Sequence, residues 1–170
     1  FETGDLSEWN YENCSIVSQV DLGPIPSPWP SLMEPTDGDW MLYGDTDRCR
    51  AWQTFDLLAL DYFEPHIDTL RLRIQAEVFL ANKGNPDDFD DQIKLILYFL
   101  DETGAQLSQM ETLFAATGEW VYRDAKRLIP IGTRTIIAEI NADWRDDQKN
   151  DSFADDVFIN IERASVAEPD

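Results

Sequence analysis

The last predicted strand of this chain reads Phe153-Ala154-Asp155-Asp156-Val157-Phe158-Ile159-Asn160-Ile161-Glu162. Val157, Ile159 and Ile161 alternate with the positions between them, which is the two-residue period of a strand with one face in a core. Counting back two residues from Val157 predicts that Asp155 lies on the same, core-facing side. Because an unpaired buried charge costs several kcal/mol, we expect a partner for this carboxylate, and a bound cation is the simplest one.

The rest of the chain also favours strands. Alternating or continuous apolar segments predict strands over residues 40–43, 51–57, 68–80, 92–100, 120–127 and 135–142. The segment 106–115 fits a helix, through Leu107, Met110 and Phe114, and a strand equally well. Five prolines between residues 24 and 35 predict an extended surface loop. Several strands separated by Gly, Pro and Asp turns indicate an all-β antiparallel sandwich.

Length and charge narrow the possibilities. With 170 residues, 43% of them hydrophobic, the chain is long enough for one domain with a real core. We expect that domain over residues 1–163 and a short tail over 164–170. The net charge of −21, from 13 basic and 34 acidic residues, argues against nucleic acid and anionic membrane as partners. No apolar run approaches the ~20 residues that a membrane-spanning helix needs, so we expect no membrane insertion.

The two cysteines and the single histidine bear on metal and redox chemistry. Cys14 and Cys49 fall in neighbouring early segments, where they would form either a disulfide or two buried free thiols. His66 is the only histidine and there is no Cys-x-x-Cys spacing, which argues against a zinc site. Nucleophile-elbow, phosphate-loop and zinc-protease motifs are also absent from the sequence, so we expect no enzyme. A carboxylate pair of the glycosidase type would require two acids facing each other in a cleft.

Motifs along the whole chain resemble a known family. They are the opening Phe1-Glu2-Thr3-Gly4-Asp5-Leu6-Ser7-Glu8-Trp9, then Gln53-Thr54-Phe55-Asp56-Leu57, Phe99-Leu100-Asp101-Glu102-Thr103-Gly104, Ile129-Pro130-Ile131-Gly132-Thr133-Arg134, and the closing Ala154-Asp155-Asp156-Val157. In this order they resemble galactose-binding-like jelly rolls, a group that includes many carbohydrate-binding modules of secreted bacterial proteins. The resemblance implies a jelly-roll sandwich and an extracellular or cell-surface location.

The resemblance also implies a structural calcium ion where the first and last strands meet. Carried over by motif, its side-chain ligands would be Glu2 and Asp155, with further oxygens from the loop around Asp45 and Asp47. Calcium takes six to eight oxygen ligands, which carboxylates and backbone carbonyls supply. The alternative is that Glu2 and Asp155 only accept backbone hydrogen bonds.

A sugar site needs a flat aromatic surface beside polar groups that bind hydroxyls. Of the six tryptophans, Trp9 is expected in the core, and Trp40 and Trp52 in the core or half-buried. Trp29 and Trp144 are least explained by packing, and we predict that they contact sugar, with Arg145 and Asp147 as hydroxyl partners.

The leading hypothesis is therefore a non-catalytic, calcium-stabilised carbohydrate-binding module whose partner is a glycan or polysaccharide. Such a module would be joined to other domains of a larger secreted protein. The alternative is a structural or adhesion domain of the same fold that binds protein or acts as a spacer.

Overall fold

The fold is described from a computed structural model over residues 7–17, 41–44, 48–60, 67–68, 72–82, 92–114, 120–143 and 152–164. These residues form ten strands: β1 (Asn10–Glu12), β2 (Cys14–Val17), β3 (Met41–Gly44), β4 (Cys49–Asp56), β5 (Leu72–Asn82), β6 (Gln92–Leu100), β7 (Gln106–Glu111), β8 (Val121–Leu128), β9 (Thr135–Asp143) and β10 (Ser152–Arg163). Within the described part of the chain, no helix has the length and hydrophobicity needed to cross a bilayer.

The strands make two antiparallel sheets of five strands each. Sheet A has the order β1-β4-β9-β6-β7, and sheet B has the order β2-β3-β10-β5-β8. Alternate side chains of both sheets meet between them in one apolar core. Its largest buried members include Leu42, Leu57, Leu72, Ile74, Leu80, Ile93, Leu95, Leu97 and Phe99. The all-β antiparallel sandwich expected from the sequence is confirmed.

Most strands lie where the hydrophobic pattern predicts them. In β5 the even-numbered residues from Leu72 to Leu80 are buried and their neighbours are half-buried, which is the predicted alternation. The ambiguous segment 106–115 contains strand β7, not a helix, because its backbone pairs with the edge of β6. Strands β1 and β2 were not predicted, since three- and four-residue strands are too short to show a period.

A β-bulge interrupts β10. Asp155 lies opposite Phe79 and Phe158 lies opposite Glu77, so β10 uses three residue steps where β5 uses two. Within the bulge, Asp156 has a φ of 48°, in the left-handed region that Asp tolerates better than most residues. The extra residue moves every side chain that follows it to the opposite face of the sheet.

The bulge corrects the predicted face of Asp155. Val157 packs against the core between the sheets, as expected. Asp155 lies opposite Phe79, whose neighbours Val78 and Leu80 point into that core, so Asp155 belongs to the outer face of sheet B. The prediction was wrong because simple alternation does not count the extra residue of a bulge. Asp155 is nevertheless fully buried, and one of its carboxylate oxygens accepts a hydrogen bond from the backbone N–H of Asp156 at 2.9 Å.

A disulfide joins the two sheets. Cys14 of β2 and Cys49 of β4 are bonded, with 5.0 Å between their Cα atoms. The alternative of two free thiols is excluded. Because β2 belongs to sheet B and β4 to sheet A, the bond crosses from one layer of the sandwich to the other, directly beside Arg50.

A second fixed point lies in the turn before β9. Both guanidinium N–H groups of Arg134 donate to the carboxylate of Asp68, at 3.0 and 2.9 Å. The same carboxylate accepts the backbone N–H of Gly132 at 3.1 Å, and Gly132 has a φ of 85° that favours glycine. The hydrogen bond from Arg134 lowers the pKa of Asp68, against burial, with a further contribution from Gly132. The turn is thereby held by a residue distant in sequence.

Candidate functional site

The outer face of sheet A carries a row of side chains across all five strands, and all of them except one isoleucine are polar or aromatic. Strand pairing aligns Asn10, Trp52, Glu139, Ile96 and Glu111 in one row. In β9, the core takes the even-numbered residues from Ile136 to Ala142. The period of two therefore places Glu139 on the outer side, in the middle strand of the sheet.

Glu139 is the centre of this face. Its side chain is only 2% exposed, so its charge requires close partners. One carboxylate oxygen accepts the Arg50 guanidinium at 2.5 Å. The other accepts the amide N–H of Asn141 at 2.9 Å and the hydroxyl of Tyr98 at 3.5 Å. The carboxylate is thus held in one orientation by groups from three adjacent strands.

Arg50 links the carboxylate to an aromatic surface. Its guanidinium carbon lies 5.6 Å from the centre of the Trp52 ring, within the range of a cation–π contact. A second carboxylate, that of Glu12 in the edge strand β1, lies 3.8 Å from the guanidinium. The hydrogen bond to Glu139 raises the pKa of Arg50, against burial, so the side chain is a permanent cation.

Two half-buried aromatic rings flank Glu139. Trp52 lies on β4 and Tyr98 on β6, the two strands on either side of β9. Their backbones are two strand spacings apart, or about 10 Å laterally. Burial, followed by the charge of Glu139, raises the pKa of Tyr98, so its hydroxyl remains protonated and can donate a hydrogen bond.

The far edge of the face is also charge-balanced. Lys94 of β6 lies 2.6 Å from the carboxylate of Glu111 in β7. The described cations of this face, Arg48, Arg50 and Lys94, therefore each have an acidic partner. A surface of this kind offers fixed hydrogen-bond donors and acceptors together with aromatic rings, and it carries no free positive charge for an anionic ligand among the residues described.

Most of the site residues predicted from the sequence lie outside the described residues. They are the sugar-contact candidates Trp29, Trp144, Arg145 and Asp147 and the calcium candidates Glu2, Asp45 and Asp47. The described member of these sets is Asp155, which is buried on the outer face of sheet B. Strand β3 ends at Gly44, opposite Ser152 of β10.

The residues of the sheet A face were missed by sequence reasoning. Trp52 was expected in the core or half-buried and is half-buried, but its neighbours could not be named. The alternation in Ala138-Glu139-Ile140-Asn141 predicts that Glu139 and Asn141 lie on the outer face of a strand. It does not predict which residues of other strands contact them. In the described part of the chain, no three His, Cys, Asp or Glu side chains are grouped to hold a metal ion.

Comparisons place this architecture among known folds. No protein-family model and no curated protein matches the sequence. One similar solved structure is CBM61 in complex with β-1,4-galactotriose, with a TM-score of 0.55 and 15% identity over 95% of this chain and 94% of that one. Another is the CBM22-1 xylan-binding domain of Paenibacillus barcinonensis Xyn10C, with a TM-score of 0.52 and 12% identity over 96% and 92% of the two chains. The chain has the fold of β-sandwich carbohydrate-binding modules.

This chain also matches part of a much longer protein. The enzymatically active domain of bacteriophage CBA120 tailspike protein 4 gives a TM-score of 0.60 with 12% identity, over 95% of this chain. This chain spans only 20% of the length of that tailspike domain. The fold resemblance expected from the sequence motifs is confirmed by the two matches of similar size, CBM61 and CBM22-1.

Proposed function

We propose that this domain is a non-catalytic carbohydrate-binding module that binds a glycan on the outer face of sheet A. The observation that carries the proposal is the buried Glu139 carboxylate, fixed by Arg50 and Asn141 between the rings of Trp52 and Tyr98. A sugar ring presents an apolar C–H face and several vicinal hydroxyls. Aromatic rings match the first, and oriented charged and amide groups match the second.

The charge of the face favours an uncharged sugar chain. Arg50 and Lys94 are each already paired with a carboxylate, and the whole chain carries a net charge of −21. An acidic polysaccharide would meet repulsion, without a free cation among the described residues of this face to compensate for it. Hydroxyl groups, in contrast, can accept from Arg50, whose side chain is 38% exposed, without disturbing the charge balance.

The alternative, a spacer or protein-adhesion domain, explains less of this geometry. A sheet face that only separates domains has no need of a carboxylate with 2% exposure, because removing the charge from water costs several kcal/mol before its partners compensate. Such cost is usual where a polar group serves recognition. This is the observation that favours binding over spacing.

Glu139 and Glu111, two acids of this face, are not arranged for hydrolysis. Glu139 and Glu111 share one row, with β6 between their strands, and thus stand about 10 Å apart at the backbone. A glycosidase needs one protonated carboxyl as a proton donor. Here Glu139 contacts Arg50 at 2.5 Å and Glu111 contacts Lys94 at 2.6 Å, so both carboxylates are already held in ion pairs.

Binding is tested by affinity electrophoresis in gels that contain xylan or β-1,4-galactan, followed by calorimetry with the matching oligosaccharide. Truncation of an aromatic hot spot typically costs about 2 kcal/mol, so we expect Trp52→Ala to weaken binding about 30-fold. The matched control is Tyr11→Ala, which removes a ring that is 55% exposed. Tyr11 belongs to the edge strand β1 and lies opposite the core residue Ala51 of β4. It is therefore not on the outer face of sheet A.

Either of two results would refute the assignment. The first is unchanged affinity in a folded Trp52→Ala variant. The second is the absence of binding to a broad panel of neutral polysaccharides, which would favour the spacer or adhesion alternative.

We further propose that a structural calcium ion stabilises the domain through Glu2 and Asp155, and that the domain acts outside the cell within a larger protein. The full burial of Asp155 supports a partner for its charge. The disulfide between Cys14 and Cys49 supports an oxidising compartment, since such bonds are rare in the cytosol.

A further inference from the structure

The outer face of sheet B has a second group of aromatic and polar side chains, on the opposite side of the sandwich from Glu139. We call it the sheet B face and define it by Gln75, Glu77, Phe79, Tyr122, Phe158 and Asn160. Strand pairing places Phe158 opposite Glu77 and Asn160 opposite Gln75. Tyr122 of β8 lies opposite Phe79 on the other side of β5.

The β-bulge of β10 creates this face. Ala154 points into the core opposite Leu80, and uninterrupted alternation would send Phe158 inward as well. The extra residue reverses the alternation, so Ile159 packs on the core and Phe158 points outward with 56% of its surface exposed. Bulges commonly redirect a side chain at a functional surface, and a large apolar ring that is redirected into water needs an explanation.

The aromatic rings are held in place beside a carboxylate. Phe79 and Tyr122 pack edge to face, with ring centres 5.5 Å apart, and Tyr122 is 45% exposed. The carboxylate of Glu77 accepts hydrogen bonds from the Tyr122 hydroxyl and from the side-chain amide of Gln75. Glu77 is therefore an oriented acceptor between Tyr122 and Phe158, whose strands flank β5 and lie about 10 Å apart.

Charge excludes several occupants. The cations of this side, Arg73 and Lys126, lie 3.9 and 3.5 Å from Glu162, and the central group is an acid. With a net charge of −21, a nucleic acid or a second copy of this chain would be repelled. A cationic peptide would match only the acids of this face, Glu77 and Glu162, and it is one of the outcomes of the test below. An uncharged ligand with apolar C–H faces and hydroxyls fits the aromatic rings, the carboxylate and the amides together.

We propose that the sheet B face is a second binding surface for a neutral sugar chain, so that the module is bivalent. The two sheets are about 10 Å apart and the two faces point in opposite directions, so a single sugar ring cannot touch both. A polysaccharide would then be cross-linked by the protein, one chain on each face. The proposal stands on residues separate from those of the sheet A face.

The test is an NMR titration of the full ¹⁵N-labelled chain with xylohexaose and, separately, with β-1,4-galactotriose. We expect one of the two probes to shift amide signals on both faces, with a stoichiometry of about two. Phe158→Ala should weaken binding at the sheet B face about tenfold and leave the sheet A face unchanged, because truncating a contact aromatic costs over 1 kcal/mol. Trp52→Ala should do the reverse, and Tyr11→Ala should alter neither.

Each result has a distinct meaning. Shifts confined to sheet A, with Phe158→Ala equal to the wild type, overturn the second surface and leave the proposed function intact. Shifts confined to the sheet B face support the second surface and remove the first site. Absence of shifts on both faces with both probes overturns this inference and the assignment of the first site to these sugars. Shifts on the sheet B face with a hexa-arginine peptide but with neither sugar assign it to a cationic partner and overturn the inference.

Discussion

The disulfide between Cys14 and Cys49 should account for a large part of the stability of this domain. Replacing both cysteines by alanine removes the covalent bond between the sheets without placing a hydroxyl at Cys49, which is fully buried. The bond closes a loop with a sequence separation of 35. In the chain-entropy description that loop lowers the entropy of the unfolded chain by about 13 cal/mol/K, or about 4 kcal/mol at 25 °C.

The expected shift in melting temperature follows from chain length. An unfolding entropy of about 2.1 cal/mol/K per residue over 170 residues converts 4 kcal/mol into a decrease of about 11 °C. Calorimetry and urea unfolding of the double variant measure both quantities, and reduction of the wild type by a phosphine reagent gives an independent value. Ser15→Ala, next to Cys14 but outside the bond, is the control. A loss below about 1 kcal/mol in both the variant and the reduced protein would refute the reasoning.

Two further properties are measurable by thermal unfolding. If calcium binds at Asp155, a calcium concentration of 100 times the dissociation constant should add about 2.7 kcal/mol to the free energy of unfolding and about 8 °C to the melting temperature. Asp155→Asn should abolish this gain, and the control Asp124→Asn, at an exposed position, should retain it. A calcium response that persists in Asp155→Asn would show that Asp155 is not a ligand. Arg134 lowers the pKa of Asp68, so this carboxylate stabilises the fold above its unfolded pKa of about 3.9, and the contribution disappears as the pH falls through the lower folded value. Wild type should therefore lose more stability than Asp68→Asn on acidification below about pH 4, and parallel losses in both proteins would contradict the role of the ion pair.

Local pattern was sufficient for most of the longer strands and for the fold class. In strands such as β5 and β9 buried side chains alternate with more exposed ones, because one face of each strand packs on the core and every second residue there must be apolar. The motifs at both ends and in the middle supported the same sandwich. The segment 106–115 remained ambiguous because a short apolar pattern suits either a helix or a strand, and only its pairing with β6 decides between them.

The candidate sites depended on strand order, which the sequence does not display. Arg50, Tyr98 and Glu139 come from β4, β6 and β9. These three strands are adjacent in sheet A but are not consecutive in the chain. The search for exposed tryptophans therefore favoured Trp29 and Trp144, whereas the described face is centred on a glutamate.

By itself, then, the sequence determined most of the longer strands and the apolar side of those that alternate regularly, because both follow from local periodicity. The tertiary structure alone decided which outward side chains meet. It also decided the face of Asp155, because the bulge that reverses the alternation between Asp155 and Val157 depends on the register between β10 and β5. The sequence likewise left open whether Cys14 and Cys49 form a disulfide, because the bond depends on how the two sheets pack against each other.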